Sequence, residues 1–330
     1  MRWIRRGGIS LAVCVIVLAS LMAALLVFGK ARALTVSPTF GHQFRTVDYS
    51  NLPAVEYYQA RDGVSLAYRS YLAPQTGAGT QRVAVLIHGA SDSSAGMHVV
   101  ARALLQEGIT SYVPDLRGHG ANQPHGDIRY PGQLEDDLMD FMKAVRPRHS
   151  QAQWILIGFS AGGGFALRID GSEQGSMFDR YLLLAPGLRF DGPTARPLAS
   201  QAKDAQRFVA PYTGRLIAIT LLQKAGLHWF DGLPVLAFAV PDSKRFTAGY
   251  SMRLLANFAP HDDYLADIRN IHRATVVLVG SNDEFLLAEN FAPVFHSQRD
   301  DVVIQLLPGL GHLDLVTSPE AMRAITAVVR

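Results

Sequence analysis

The sequence has one cysteine in 330 residues, Cys14, so no internal disulfide can staple the chain. Its histidines are scattered rather than set at ligand spacings, which leaves no metal motif. No Gly-rich phosphate loop, dinucleotide fingerprint, tandem repeat or low-complexity tract occurs, so no cofactor is implied. Charged residues make up only 18% of the chain and hydrophobic ones 48%, which excludes a disordered polar polymer. Acids are missing from residues 1–33, which hold five of the 31 bases: Arg2, Arg5, Arg6, Lys30 and Arg32. The remaining residues carry 26 bases against 28 acids. The net charge of +3 therefore belongs to that first segment, and a nucleic-acid partner for the folded part loses its support.

The same first segment holds the longest hydrophobic run. Residues 9–28 are 20 uncharged residues with Ser10 and Ser20 as the only hydroxyls. As a helix rising about 1.5 Å per residue the run would cover roughly 30 Å, the depth of a bilayer core. It exceeds the roughly 7–15 residues of a signal-peptide apolar region. Yet Ala31-Arg32-Ala33 just beyond it has the A-x-A cleavage pattern. Two readings of residues 1–33 follow: an uncleaved signal anchor, or a signal peptide removed from a secreted protein. In the first, bases ahead of the run keep that end cytoplasmic and place residue 34 onward on the extracytoplasmic side, periplasmic or extracellular.

Residues 34–54 read as a linker, and 55–330 as the folded domain. Residues 57–60 and 64–71 look like a strand pair joined through Asp62-Gly63, a turn signal. Residues 83–87, 154–158, 181–185, 275–280 and 302–307 are short apolar runs of the kind buried on both faces of a parallel sheet. Residues 111–114 begin a further strand. Leu134, Leu138, Phe141 and Val145 recur at helical spacing, and residues 96–106, 286–296 and 318–329 also read as helices. Strands alternating with helices predict an α/β fold with a mostly parallel sheet covered on both faces. Residues 187–273 interrupt that rhythm. At 87 residues they are too many for a crossover, and they read as an inserted cap, expected to be helical.

Gly158-Phe159-Ser160-Ala161-Gly162 is G-x-S-x-G, following a buried strand and preceding a helix. Small neighbours allow a sharp strand-to-helix turn that pushes Ser160 out at the strand's end. A Gly-rich turn whose serine caps a helix is the plainer reading. A serine hydroxyl needs a base to become a nucleophile. His312, in Gly309-Leu310-Gly311-His312 after the last strand, has the chain position for it. The base in turn needs an acid to fix its tautomer. Asp283 is the choice, with Glu284 as rival, Asp314 third, and a turn-forming Asn282-Asp283 pair as the plain alternative. An oxyanion would need backbone donors. The Ala161 N–H is one candidate and the Ala90 N–H, in His88-Gly89-Ala90-Ser91, the other. His88 itself reads as a holder of that loop rather than a second base.

With these motifs in order, together with Asp115-Leu116-Arg117-Gly118-His119-Gly120, the chain from residue 55 to 330 resembles the α/β-hydrolase superfamily. Within it the chain is most similar to the lysophospholipase, monoacylglycerol lipase and serine aminopeptidase group, whose cap is inserted where residues 187–273 lie. The resemblance implies Ser160 as nucleophile, His312 as base and Asp283 as orienting acid. It also implies hydrolysis of carboxylic esters through an acyl-enzyme. The Asp115–Gly120 loop is then scaffolding. The apolar cap and the apolar leader suggest a lipid-like ester, such as a monoacylglycerol or lysophospholipid, and a membrane partner through residues 1–33. An acyltransferase or an amidase or peptidase on the same triad is the alternative, and a non-catalytic, membrane-tethered binding protein is the reading from another class.

Overall fold

The run of residues 83–87 becomes the inside of the sheet. In the computed structural model, which describes residues 2–30, 34, 42–74, 81–197 and 208–330, β3 (Arg82–Ile87) is wholly buried from Val83 onward. Side chains are described from residue 13 in the first helix and from residue 44 in the second. Beside β3 lie β4 (Thr110–Pro114) and β5 (Gln153–Phe159), both parallel to it. On from β5 follow β6 (Arg180–Leu184), β10 (Ala274–Gly280) and β11 (Val303–Leu307), again parallel. The hairpin β1 (Glu56–Gln59) and β2 (Ser65–Tyr71) turns at Asp62-Gly63 and closes the other edge antiparallel to β4. The eight strands run in the order β1-β2-β4-β3-β5-β6-β10-β11. For β3, β5, β6 and β10 the apolar runs predict this arrangement, because a strand in the middle of a parallel sheet meets no water on either side; the run at 302–307, read in the same way, instead forms the edge strand β11, which leaves Val303 and Leu306 exposed.

Helices cover both faces, as the alternation predicts. α3 (His98–Gln106) packs against α10 (Asp314–Thr317) and α11 (Pro319–Val329). α5 (Ala161–Asp170) lies on β5 and against α8 (Tyr264–Arg269), while α4 (Gln133–Val145) reaches β1. The helix expected over residues 286–296 is shorter. A 3-10 turn at Ala288–Asn290 leads into α9 (Phe291–His296). Leu286 is bridged to Ala195, and the Leu287 N–H donates to Thr194 O, so those backbones are used by the insertion before a helix can start.

The insertion carries α6 (Thr213–Lys224), α7 (Met252–Asn257) and α8, and in addition a three-stranded antiparallel sheet. Its strands are β7 (Val209–Pro211), β8 (Pro234–Phe238) and β9 (Gly249–Ser251). Strands of three to five residues are too short to show an alternating pattern, so the sequence suggests only helices there.

Within the leader, Arg2–Phe28 forms α1, and its last turns pack on α6. Leu26, Ala218, Ile219 and Val235 form a small buried cluster, with Met22 and Leu25 against it. Arg215 Nε donates to Leu26 O at 2.9 Å. Among the described residues no helix is long and apolar enough to cross a membrane; the described side chains of α1 span residues 13–28, roughly 24 Å at 1.5 Å per residue. The Ala31-Arg32-Ala33 site lies outside the described residues. Within the segment read as a linker, α2 (His42–Arg45) and Tyr49 are fastened to the cap, since Phe44 and Tyr49 flank the Arg245 guanidinium.

Candidate active site

The turn from β5 into α5 has room for nothing larger than glycine. A Cβ on Gly158 would stand 2.1 Å from Gly162 O, and one on Gly162 would stand 2.3 Å from His88 O. Both obstacles are backbone, so neither can swing away. Between them Ser160 takes φ 56° and ψ −118°, a left-handed conformation rarely adopted by a residue with a side chain. The turn holds because Ser160 N donates to Leu184 O, while Ser160 O accepts from the N–H groups of Gly164 and Gly187. The hydroxyl is thereby presented at the first turn of α5.

His312 meets it from the loop after β11. Its Nε2 lies 2.9 Å from Ser160 Oγ, and its Nδ1 lies 2.7 Å from Asp283 Oδ2. The rings of Phe159 and Phe285 pack on the imidazole, with centroids 4.9 and 5.2 Å away. The carboxylate can only accept, so Nδ1 carries the proton and Nε2 is free to accept from the serine hydroxyl. Asp283 is 1% exposed. Its other oxygen accepts the N–H groups of Phe285 and Leu286 at 2.9 and 2.8 Å. Burial pushes this carboxyl up, but the facing His312 ring and the two backbone donors outweigh it and hold it below the ordinary carboxylate range.

The other two acids considered for that place are used elsewhere in the same loops. Glu284 accepts the His312 N–H at 2.8 Å, and Asp314 accepts the Gly311 N–H at 2.8 Å. Both hold the backbone that carries the imidazole rather than the ring itself.

The loop after β3 runs against the elbow, and a Cβ on Gly89 would touch the Phe159 ring and Ser160 Cβ. Among the described residues neither the Ala90 nor the Ala161 N–H has a partner, and both residues are half-buried. His88 is fully buried and spends both ring nitrogens on backbone. Nδ1 donates to Gly89 O at 2.9 Å, and Nε2 accepts the Leu116 N–H at 3.2 Å. It is therefore a loop holder and has no nitrogen left to act as a base.

The Asp115–Gly120 loop is equally tied up. Asp115 accepts the N–H groups of Ser94 and Ala121, and Arg117 forks onto Asp137 at 2.8 Å through both bonds. His119 contacts the cap through Tyr250, at 2.6 Å from its hydroxyl. Tyr250, Thr247 and Arg245 give no sign of their role in the sequence. They touch the loop after β3 from more than 150 positions away, and nothing local marks such a contact. Among the described residues no group of three or more His, Cys, Asp or Glu side chains is placed to hold a metal ion.

Solved structures with this fold include a soluble variant of monoglyceride lipase from Saccharomyces cerevisiae, in complex with a substrate analog. It is 16% identical, with a TM-score of 0.66 over 86% of this chain and 96% of that one. The monoacylglycerol lipase of Paleococcus ferrophilus is also 16% identical, with a TM-score of 0.57 over 81% and 97% of the two chains. A thermophilic esterase from Thermogutta terrifontis is 18% identical, with a TM-score of 0.57 over 84% and 98%. At these identities the likeness is one of fold. No curated protein matches the sequence significantly. The sequence pattern of the hydrolase family described as serine aminopeptidase, S33, matches residues 78–316, which take in the Ser160 turn, both loops and the cap. By that match, and by its eight-stranded sheet with an inserted cap, the chain belongs to the serine aminopeptidase S33 family of α/β hydrolases.

Proposed function

We propose that the protein is a serine hydrolase that cleaves carboxylic esters through an acyl-enzyme. The observation that carries this reading is the unbroken chain from Ser160 Oγ to His312 Nε2 and from His312 Nδ1 to Asp283, at 2.9 and 2.7 Å. As Oγ bonds to the ester carbonyl carbon, His312 Nε2 takes the hydroxyl proton. The charge on the carbonyl oxygen is met by the Ala90 and Ala161 N–H groups. His312 then gives its proton to the departing alcohol, leaving the acyl group on Ser160. A water entering the same place then gives a proton to His312 as its oxygen bonds to the acyl carbon, and His312 returns that proton to Ser160 Oγ as the Oγ–acyl bond breaks and the acid leaves. Asp283 stays ionised throughout and stabilises the imidazolium. No metal or cofactor enters this scheme.

The substrate we assign is a lipid-like ester, such as a monoacylglycerol or lysophospholipid, reached from a membrane that residues 9–28 hold the protein against. Four exposed apolar side chains support this: Ile217 and Leu221 on α6, and Trp229 and Phe230 just beyond it, with Trp229 80% exposed. They belong to the same part of the cap on which α1 docks, and α1 itself exposes Val15, Ile16, Val17 and Leu18. The charge pattern around residues 9–28 supports an extracytoplasmic catalytic domain. An amide or peptide bond is the second reading, favoured by the aminopeptidase description of the matched family. The test is hydrolysis by the full chain of p-nitrophenyl esters from acetate to palmitate, with p-nitroanilides alongside. Ester turnover rising with chain length, and lost about 10,000-fold or more in Ser160→Ala, is the expected result. Turnover that survives Ser160→Ala would overturn the assignment, and a preference for the anilides would replace the ester reading with the amide one.

A further inference from the structure

The loop after β3 is held at three successive peptide units, and two of the three holds come from the cap. In a planar trans peptide the C=O and the next N–H point in opposite directions. The His88 ring donates to Gly89 O, which fixes the first unit and turns the Ala90 N–H away from His88. The second unit ends at the Ser91 N–H, which donates to the Tyr250 hydroxyl at 2.6 Å. The third begins with Ser91 O, which accepts the Thr247 N–H at 2.7 Å. Ser91 itself stands at φ 63°, a conformation that serine keeps only where its surroundings impose it.

Tyr250 is oriented in turn. His119 Nδ1 lies 3.1 Å from Arg117 O and must donate there, so its Nε2 accepts the Tyr250 O–H at 2.6 Å. That leaves a lone pair on the tyrosine oxygen for Ser91. One residue along, Arg245 forks onto Asp92 at 2.8 and 3.0 Å. Its guanidinium is enclosed by the rings of Phe44, Tyr49 and Phe246, each about 5 Å from centroid to carbon. Release of these cap contacts would let Ser91 relax toward ordinary φ and rotate the Ala90–Ser91 unit. The Ala90 N–H shares the Ala90 Cα with that unit and would move with it.

We infer that Tyr250, with Thr247 and Arg245 beside it, is a positioning residue by which the cap sets the Ala90 N–H as an oxyanion donor. The inference rests on the acyl-transfer reading. It makes the cap a working part of the hydrolytic site, even for an ester too small to touch the cap.

The test is Tyr250→Phe in the full chain, which keeps the ring and removes only the hydroxyl. Three quantities are compared with wild type: the turnover of p-nitrophenyl acetate, the rate of labelling by a fluorophosphonate, and the inhibition constant of an aliphatic trifluoromethyl ketone. The ketone forms a tetrahedral adduct whose oxygen sits where the oxyanion does. The expected result is a kcat lower by about ten- to thirtyfold with KM within about twofold, labelling slowed by a similar factor, and the ketone Ki raised in parallel. A merely structural tyrosine would lower the melting temperature and leave all three unchanged in the folded enzyme, which would overturn the inference. Should Tyr250→Phe fail to fold, the isosteric Asp92→Asn, which loosens the Arg245 fork, is measured in the same way. A parallel loss of about threefold or more is expected there, and unchanged values would overturn the inference. Wild type that does not label would overturn the acyl-transfer reading itself, whereas equal labelling of wild type and variant would remove only the role given to Tyr250.

Discussion

Asp283 and Glu284 are neighbouring acids with different partners, and the difference is measurable. Asp283 binds the His312 ring, while Glu284 binds the His312 backbone N–H. Asp283→Asn is therefore expected to lower kcat about 1,000-fold or more, because the amide leaves the imidazole in the wrong tautomer. Glu284→Gln keeps an acceptor for the backbone and should cost about tenfold or less; an equal loss from both would contradict the division. The Asp283 carboxyl also links folding to pH. Its folded pKa lies below its ordinary value of 3.8, so its ionised form adds stability that is fully present above that value. That contribution is lost as pH falls from 3.8 through the folded pKa. Urea unfolding between pH 6 and pH 3 should show wild type losing stability more steeply than Asp283→Asn, and parallel curves would contradict it. At this scale Ser160, His312 and Asp283 were readable in the sequence because each sits at the end of an apolar strand run in a fixed chain order. The role of Glu284 was not, because its hold on the His312 backbone N–H is a contact between two loops 28 positions apart that leaves no local pattern. Tyr250 was hidden altogether: its partner Ser91 is 159 positions away.

The strand-to-helix turn is the element on which the site depends most. Its glycines are dictated by backbone passing backbone, so Gly162→Ala is expected to destabilise the fold by more than about 3 kcal/mol. For a protein of 330 residues that is roughly 4–5 °C or more in melting temperature, read by calorimetry. A melting temperature within about 2 °C of wild type would mean the turn can open without cost. The sheet strands were legible because burial on both faces forces continuous apolar runs such as residues 83–87. The cap strands β7, β8 and β9 were not, because three to five residues carry no usable period and their pairing is set by tertiary contact. The helix expected from residue 286 starts later for a related reason, since Leu286 and Leu287 are already bonded to the insertion.

For the whole molecule, the docking of α1 on α6 places the leader and the cap side by side, a relation no local pattern in the sequence could reveal. On the membrane reading, the exposed Trp229, Ile217 and Leu221 meet the lipid surface together with the leader. Trp229→Ser should then lower hydrolysis of monoacylglycerol held in phospholipid vesicles about threefold or more, with p-nitrophenyl acetate turnover unchanged. Equal activity on the vesicles would contradict the proposed orientation. Partition of apolar side chains into the interface supplies the energy, and it acts only when lipid is present.

An acyl group that passes through Ser160 can be caught there. The full chain is mixed with p-nitrophenyl butyrate, quenched in acid within the first turnovers, and digested for mass spectrometry. One butyryl group is expected on the peptide carrying Ser160, none in Ser160→Ala, and no adduct on any other peptide. Sustained turnover with an unmodified Ser160 peptide at every quench time, or a butyryl group found on another residue, would contradict it.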